Sequence, residues 1–384
     1  MTFTDLAVVA LAGLFGVALA IPERWHLPVV LGELAGGIAL GTTGVRVLHA
    51  ADPTFTFVAD IGFALVMFVA GSHVPMRDPA LRKGIGLGLV RAAVVGLVAG
   101  VLAVAVAGLF GTGHAGLYAV LMASSSAALV LPIVDSLNLT GPDVVQMLPQ
   151  VAIADAASII ALPLAIDPAH ALRAGLGALA VIACAGVVFL GLRQLDRNGL
   201  AGRAHQLSER RGFAVELRVQ LAILFALAAL ATRTHISIML AGFSFGIAVA
   251  AVGEPRRLAH QLFAVTEGFL APLFYVWLGA SLDLRELARH PSYIGLGVAL
   301  GVGAVLAHAA VRVLGQPLPL GALASAQLGV PVAAATLGTQ LHLLKPGQPV
   351  ALVLGALVTI VVATFAGGRL AGHTVRKPNP PAPP

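Results

Sequence analysis

The sequence predicts an all-α membrane protein of about thirteen transmembrane helices, and three observations lead to this fold class. Of the 384 residues, 58% are hydrophobic and only 10% are charged, with a mean hydropathy of +0.95, which lies outside the range of soluble domains. Apolar runs long enough to cross a hydrocarbon core of about 30 Å recur along nearly the whole chain. These runs lack the alternation of apolar and polar residues that marks the strands of a membrane β-barrel.

The apolar runs define thirteen predicted spans, which we number in chain order. Basic residues concentrate in alternate loops, and the densest group follows the seventh span. Because cytoplasmic loops retain positive charge, this pattern predicts a multi-pass protein of the cell membrane, embedded in lipid, with its N-terminus outside and its C-terminus in the cytoplasm. The spans are 5–20, 27–43, 54–72, 85–110, 115–137, 145–166, 170–192, 213–231, 236–252, 261–281, 292–314, 318–341 and 348–370.

The sequence also argues against several classes of function. The basic loop residues explain the net charge of +6, so no nucleic-acid partner is expected. Cys184 is the single cysteine, which excludes an internal disulfide. The chain carries neither an HExxH zinc pattern nor a GxxxxGK[ST] phosphate loop, so we expect no cofactor and no ATP-driven step. An intramembrane aspartyl protease needs two membrane aspartates, one of them in a GxGD setting. Asp155 lies in AIAD, so we do not expect an enzyme.

Two pairs of similar short stretches, here called echoes, indicate that the chain contains an internal repeat. The stretch LAGGIAL at 34–40 resembles LAGFSFG at 240–246, and VMFVAGS at 66–72 resembles VWLGAS at 276–281, with offsets of about 206 to 209 residues. Span 2 then pairs with span 9, 3 with 10, 5 with 12 and 6 with 13. Because an odd number of spans separates the partners, the two halves would insert in opposite directions, as in many secondary transporters. Small apolar residues also repeat by chance in membrane proteins, and that alternative stays open.

The repeats give the predicted organisation of the chain. Residues 1–372 form one transmembrane domain, and a short proline-rich cytoplasmic tail follows at 373–384. Within the domain, repeat one covers about 5–166, a linker helix and cytoplasmic loop about 167–212, and repeat two about 213–372.

Spans 5 and 12 both contain residues that disturb a helix. Span 5 reads LMASSSAALVLPIV, with hydroxyls at Ser124–Ser126 followed by Pro132. Span 12 reads ASAQLGVPVAAATLG, with Gln327, Gly329 and Pro331 close together. Proline removes a helix hydrogen bond, and unwound backbone survives in a bilayer only when protein or a water-filled cavity surrounds it. We therefore predict two crossed, discontinuous helices at the midplane; two merely kinked helices are the alternative.

Asp155 in VAIADAASII is the main candidate for a functional group. An ionisable side chain at membrane depth costs between about 2.5 and more than 10 kcal/mol, which makes it a site hypothesis by default. The hydroxyls of Ser124, Ser125, Ser126 and Ser158 are hard oxygen ligands suited to an alkali cation, for which a proton would compete at the carboxylate. Weaker candidates for accessory roles are Glu33, Asp60, Glu267, His308 and Gln327.

Five motifs carry a resemblance to a known family. In order, they are LPVVLGELAGGIALG, DIGFALVMFVAGSHV, SSSAALVLPIV, LPQVAIADAASIIALPL and FLAPLFYVWLGASLDL. Their order resembles that of cation/proton antiporters of the branch that contains Kef-type potassium-efflux proteins and Nap-type sodium/proton antiporters. The resemblance implies exchange of protons for a monovalent cation, Na⁺ or K⁺, by a homodimer with a dimerisation domain and a moving core domain. It also implies that spans 5 and 12 cross beside an ion-binding aspartate, which is Asp155.

Departures from the family pattern bear on stoichiometry. Family members usually carry Asp, Asn or Gln directly before the aspartate, where this chain has Ala154. Electrogenic members often carry a lysine where span 11 offers only His308, and the QGGEF pattern of Kef-type proteins is reduced to a stretch beginning at Gln327. A single titrating carboxylate favours electroneutral exchange of one proton for one cation. The choice among Na⁺, K⁺ and Li⁺ stays open, as does the alternative of a proton- or sodium-coupled small-solute symporter on a similar fold.

Overall fold

A computed structural model describes residues 1–21, 29–74, 79–199, 213–234, 236–253 and 262–374. Most of the predicted cytoplasmic loop that follows span 7 and most of the proline-rich tail lie outside these residues. Every regular element within the described ranges is helical.

The described residues form sixteen α-helices, several of which combine into one membrane crossing. Eleven segments are long and apolar enough to span a bilayer, and two shorter apolar helices bring the number to the thirteen that the sequence predicts. The all-α fold class and the predicted spans are therefore confirmed. The helices are α1 Phe3–Ala20, α2 Val29–Leu40, α3 Pro53–Ser72, α4 Pro79–Phe110, α5 Ala115–Ala123, α6 Ala127–Ser136, α7 Pro142–Ile166, α8 Ala171–Arg197, α9 Val215–Arg233, α10 Ile238–Val252, α11 Ala271–Ser281, α12 Leu284–Arg289, α13 Pro291–Ala309, α14 Leu318–Ala324, α15 Gly329–Gln340 and α16 Gln348–Thr374.

Predicted spans 5 and 12 are interrupted, as the sequence indicates. Span 5 becomes α5 and α6, separated at Ser124–Ser126, and span 12 becomes α14 and α15, separated at 325–328. Predicted span 10 contains a π-helical turn at Thr266–Leu270, directly before α11. Such turns insert one extra residue into a helix and shift the side chains that follow.

Local capping explains where several helices start. The carboxylate of Asp52 accepts hydrogen bonds from the backbone N–H groups of Thr54 at 2.8 Å and Phe55 at 3.0 Å, and Pro53 occupies the first helical position of α3. Ser237 caps α10 in the same way, by accepting from the N–H of Met239 at 3.2 Å. These polar residues satisfy backbone donors that have no partner within the helix.

The chain forms two compact units. The first unit consists of Met1–Arg77 and Asp167–His290, and the second of Asp78–Ile166 and Pro291–Pro384. Each unit therefore takes segments from both halves of the chain, and the boundaries of the units differ from those of the predicted repeats.

In the first unit, α2 packs closely against α11 through two glycines. A Cβ atom at Gly37 would overlap the carbonyl oxygen of Val276, and one at Gly279 would overlap the carbonyl oxygen of Leu34. Each helix thus places its glycine against the backbone of the other. Small residues of this kind let transmembrane helices approach each other closely.

The packing of α3 against α10, also in the first unit, uses the same arrangement. A Cβ atom at Gly71 would overlap the carbonyl oxygen of Phe243, and one at Gly246 would overlap the carbonyl oxygen of Phe68. Gly71 and Gly246 lie in two of the stretches that the sequence analysis paired as echoes. The two reciprocal contacts therefore involve corresponding segments of the two predicted repeats.

In the second unit, α4 holds α7 in place. A Cβ atom at Gly84 or at Gly88 would come within 2.8 Å of the Pro149 ring, so the two helices meet closely at this proline. Arg91 is buried and donates from Nη1 to the backbone carbonyl of Gln146 at 3.3 Å. These contacts fix the part of α7 that precedes Asp155.

Candidate functional site

The two interrupted helices of the second unit meet at their breaks. The backbone N–H of Ser126 donates to the carbonyl of Ala326 at 2.8 Å, and the hydroxyl of Ser125 donates to the carbonyl of Ala324 at 2.6 Å. The hydroxyl of Ser124 also contacts the side-chain Oε1 of Gln327. Backbone groups that lose their helical partners at one break are thus satisfied by the other break, as burial requires.

A serine marks the end of each helix that precedes a break. The hydroxyl of Ser124 lies 2.8 Å from the carbonyl of Leu121, and that of Ser325 lies 2.7 Å from the carbonyl of Ala322. Each serine side chain therefore bonds a carbonyl three residues back, which weakens a helix but does not end it alone, since Thr359 makes the same bond inside α16. Ser126 then adopts an extended conformation, with φ −132° and ψ 107°.

The prolines of these segments do not form the breaks. Pro132 lies inside α6, and Pro331 lies in the first turn of α15, where its missing N–H is not needed. The prediction of interrupted helices is confirmed, but the interruption precedes each proline. The serines, with the stretch 326–328, form the unwound backbone.

Asp155 of α7 bonds the start of α6. Its side chain is buried, and Oδ2 accepts a hydrogen bond from the backbone N–H of Ala127, the first residue of α6, at 2.9 Å. Ser126 occupies the N-cap position but makes no capping bond with its own side chain. The carboxylate of a neighbouring helix therefore supplies the cap, at a helix end whose dipole favours negative charge.

The four candidate serines fall into two pairs. Ser124 and Ser125 use their hydroxyls in the bonds that hold the breaks together. Ser126 and Ser158 are buried, and neither hydroxyl donates a hydrogen bond to any other described residue. Ser126 directly precedes the residue that bonds Asp155, and Ser158 follows Asp155 by three residues, so it lies on the same helix face. These two hydroxyls therefore take no part in the bonds that hold the breaks together.

Gln327 is positioned by a residue that sequence reasoning missed. The backbone N–H of Gln327 donates to the hydroxyl of Thr359 in α16 at 3.3 Å, and Thr359 itself donates to the carbonyl of Ala356 at 2.7 Å. Thr359 is fully buried and satisfies the second break much as Asp155 satisfies the first. The predicted pairing of span 6 with span 13 was the available signal, because it relates the helix of Thr359 to that of Asp155.

The remaining predicted accessory residues are dispersed. His308 is fully buried in α13 of the second unit, with Nδ1 3.0 Å from the carbonyl of Ala304, so Nδ1 carries the proton of that bond. Its Nε2 has no hydrogen-bond partner among the described residues. Glu33, Asp60 and Glu267 belong to the first unit, whereas Asp155 and the serines belong to the second.

Glu33 and Glu267 lie near each other within the first unit. Glu33 is buried in α2 with its Cγ against Gly16 of α1, and it is close enough to Glu267 to interact electrostatically. Glu267 lies in the π-helical turn and is more exposed. No group of three potential metal-ligating side chains occurs among the described residues.

Comparisons with known proteins give consistent matches. Residues 7–372 match the family described as "Sodium/hydrogen exchanger, transmembrane". The chain is 23% identical over 382 residues to the putative Na⁺/H⁺ antiporter YjbQ of Bacillus subtilis, covering 93% of this chain and 61% of the relative. It is 27% identical over 301 residues to the glutathione-regulated potassium-efflux system protein KefC of an Enterobacter species, covering 73% of this chain and 46% of that protein. The chain thus spans about half to three fifths of the length of these relatives.

Solved structures share the fold. The sodium proton antiporter MjNhaP1 of Methanocaldococcus jannaschii at pH 8 superposes with a TM-score of 0.65 and 15% identity, covering 98% of both chains. An electron-microscopy structure of the same antiporter gives a TM-score of 0.68 and 14% identity, covering 99% of this chain and 100% of that one. At these identities, the likeness shows the fold alone.

Proposed function

This chain belongs to the sodium/hydrogen exchanger family, and from that premise we propose that it exchanges protons for a monovalent cation, Na⁺ or K⁺, across the cell membrane. The names of the relatives support this activity, since one is a putative Na⁺/H⁺ antiporter and the other a potassium-efflux protein. The observation that carries the proposal is the buried carboxylate of Asp155 at the start of α6, where two interrupted helices meet. The function proposed is transport and not enzymatic catalysis.

Asp155 couples the two fluxes because its carboxylate holds either a proton or a cation. Loss of the proton at one face of the membrane creates the negative charge that a cation requires. The hydroxyl oxygens of Ser126 and Ser158 then complete a ligand set of hard oxygen atoms, which suits an alkali cation. After the site opens to the other face, a proton displaces the cation, and the cycle needs no ATP.

The chain offers one titrating carboxylate at this position, and we propose an exchange of one proton for one cation. Ala154 brings no second polar group next to Asp155. α13 carries no lysine, and the buried His308 bonds the carbonyl of Ala304 through Nδ1. Because one proton crosses the membrane for each cation that crosses in the opposite direction, no net charge is transported. The membrane potential therefore neither drives nor opposes the cycle.

Two features support an inverted repeat as part of this proposal. Gly37 and Gly279 contact each other's helices as Gly246 and Gly71 do. Gly37 and Gly246 are 209 residues apart and Gly71 and Gly279 are 208 apart, within the range of offsets between the two halves. Ser124 and Ser325, each at the end of its helix, bond a carbonyl three residues back in the same way. We further propose that the N-terminus lies outside, that the C-terminus lies in the cytoplasm, and that the protein works as a homodimer.

The test is proton flux in liposomes that contain the purified protein and an internal pH-sensitive dye. The membrane potential is held at zero with a permeant anion, and Na⁺, K⁺ or Li⁺ is added outside in turn. We expect at least one cation to drive proton release from the interior, and an Asp155→Asn preparation to give none. A folded wild-type protein that responds to no cation would contradict the proposal.

A further inference from the structure

A groove lies between α8 and α9 of the first unit, where α8 begins and α9 ends. Its volume is about 440 Å³, and its walls include Leu172, Leu176 and Ala180 on the apolar side. Two arginines, Arg173 in the first turn of α8 and Arg233 at the end of α9, also line it. Both helices are on the periphery, since only 22% of the membrane-spanning window of each is buried.

The sequence builds this groove from small residues at its floor. A Cβ atom at Gly177 would come within 2.5 Å of the Ile236 side chain and 2.9 Å of Cβ of Thr234, so only glycine lets α8 approach the end of α9 this closely. The hydroxyl of Thr234 donates to backbone, with the carbonyls of Leu230 at 2.9 Å and Ala231 at 3.0 Å as its acceptors. The arginines are therefore the groups that give the groove its polar character.

The charges of Arg173 and Arg233 are not compensated by described residues. Both side chains are exposed, and neither makes a hydrogen bond or ion pair with another described residue. The carboxylate nearest in sequence to Arg173, that of Asp167, is already bonded to the ring of His170 at 2.8 Å. Glu216 lies at the opposite end of α9. Two positive charges thus share one open groove.

We propose that this groove binds one anionic phospholipid, with its phosphate between Arg173 and Arg233 and an acyl chain along Leu176 and Ala180. Guanidinium groups bind phosphate oxygens through paired hydrogen bonds, and arginines at helix ends extend toward the headgroup region. Under the proposed topology both arginines lie at the outer face of the membrane, so the lipid belongs to the outer leaflet. The terminal position of both arginines places the charge at the membrane surface, while Leu176 and Ala180 follow one and two turns further into the hydrocarbon region. This site is separate from Asp155 and does not depend on the proposed exchange.

The test measures thermal unfolding of purified, delipidated protein in detergent with added phosphatidylglycerol, phosphatidylcholine or inorganic phosphate. We expect phosphatidylglycerol to raise the midpoint of the wild type, and phosphatidylcholine and phosphate to leave it nearly unchanged. The double variant Arg173→Gln/Arg233→Gln should lose most of the rise. The matched control, Arg193→Gln/Arg197→Gln at the other end of α8, should keep it. Native mass spectrometry should show one phosphatidylglycerol bound to the wild type and to the control alone.

Leu176→Trp tests the apolar wall without changing charge. Leu176 is 61% exposed, so the larger ring fits without disturbing the packed interior but fills the groove, and we expect it to reduce the rise as well. Equal stabilisation of the two arginine double variants by phosphatidylglycerol would overturn the proposal. So would an equal effect of inorganic phosphate, which indicates a simple anion site. A change in oligomeric mass of the Arg173→Gln/Arg233→Gln variant without any lipid dependence would assign the groove to a second copy of the chain.

Discussion

At the scale of single residues, Asp155 has two separable roles. Its Oδ2 caps α6 through the N–H of Ala127, and its negative charge provides the proposed site for proton or cation. Asparagine keeps the first role, because its amide oxygen accepts the same bond, and removes the second. Alanine removes both.

We therefore predict that Asp155→Asn folds, reaches the membrane and fails to exchange. Its unfolding midpoint should stay near that of the wild type, whereas Asp155→Ala should lose about 1 kcal/mol, the usual cost of an N-cap. Proton flux in liposomes and thermal unfolding in detergent measure the two roles separately. Proton-coupled cation flux that persists in a well-folded Asn variant would remove Asp155 from the mechanism.

We predict that alanine variants of the two pairs of serines differ in whether they affect cation affinity or stability. Ser126→Ala and Ser158→Ala should raise the apparent KM for the cation more than they change the maximal rate, because a ligand is lost and the proton carrier stays. Ser125→Ala should mainly lower stability, by about 1 kcal/mol, because the carbonyl of Ala324 loses its donor. Cation titrations of flux and thermal unfolding distinguish the two effects. An unchanged KM in both Ser126→Ala and Ser158→Ala would exclude these hydroxyls as ligands.

The residue scale also shows what the sequence can reveal about the site. A carboxylate in an apolar run is conspicuous because of its cost in a membrane, and Asp155 was found for that reason. Thr359 gives no such signal, since its hydroxyl bonds the carbonyl of Ala356 within its own helix. Its hydrogen bond with Gln327 forms only because two helices become neighbours in the fold. Local sequence does not specify that pairing of helices.

At the scale of the elements, the sequence predicted that two helices are interrupted but not the residues at which each interruption lies. Serine and glycine next to proline indicate a weak helix, and both predicted segments are broken. The position of each break is set by bonds between the two segments, such as that from the N–H of Ser126 to the carbonyl of Ala326. These bonds are tertiary, so the sequence of one segment alone favours the proline as the breaking point.

The glycine contacts of the first unit predict a strong effect of a single methyl group. Gly37→Ala should destabilise the protein by about 1 to 3 kcal/mol, because its Cβ overlaps the backbone of α11 and neither helix can move without disturbing its other contacts. Gly100→Ala in α4 is the matched control, since a Cβ atom there meets nothing within 4 Å and alanine is the better helix former. Thermal unfolding in detergent should show a lower midpoint for Gly37→Ala than for the wild type. The midpoint of Gly100→Ala should not be lowered. Equal midpoints would mean that the contact at Gly37 is not tight.

At the scale of the whole molecule, the number of membrane crossings was readable from the sequence, whereas the division into two units was not. Hydropathy reports the length of each apolar segment, and that was sufficient for thirteen spans. The faces of a membrane helix toward lipid and toward protein are both apolar, so no hydrophobic pattern shows which helices pack together. The combination of 1–77 with 167–290 in one unit is therefore a property of the fold that local patterns do not reveal.

Competition at one carboxylate predicts the pH dependence of the whole transporter. Below the pH at which Asp155 is half protonated, the apparent cation affinity should fall about tenfold for each pH unit, which corresponds to about 1.4 kcal/mol. Above that pH the affinity should level off, because the carboxylate is already charged. The measurement is the cation KM of proton flux, determined at equal pH on both sides of the liposome membrane. A KM that does not change with pH across the active range would show that proton and cation bind at different groups.

Electroneutral exchange predicts that turnover does not depend on the membrane potential. A transported charge is worth about 2.3 kcal/mol at 100 mV, so a cycle with net charge movement would respond strongly when the potential is imposed. We expect equal rates at zero and at 100 mV of either sign, in the wild type and in His308→Gln. Glutamine can still donate to the carbonyl of Ala304 but carries no titrating group, so it tests whether His308 adds a second proton to the cycle. A wild-type rate that changes steeply with potential, together with a loss of this dependence in His308→Gln, would show that histidine carries a transported charge and that the stoichiometry exceeds one proton per cation.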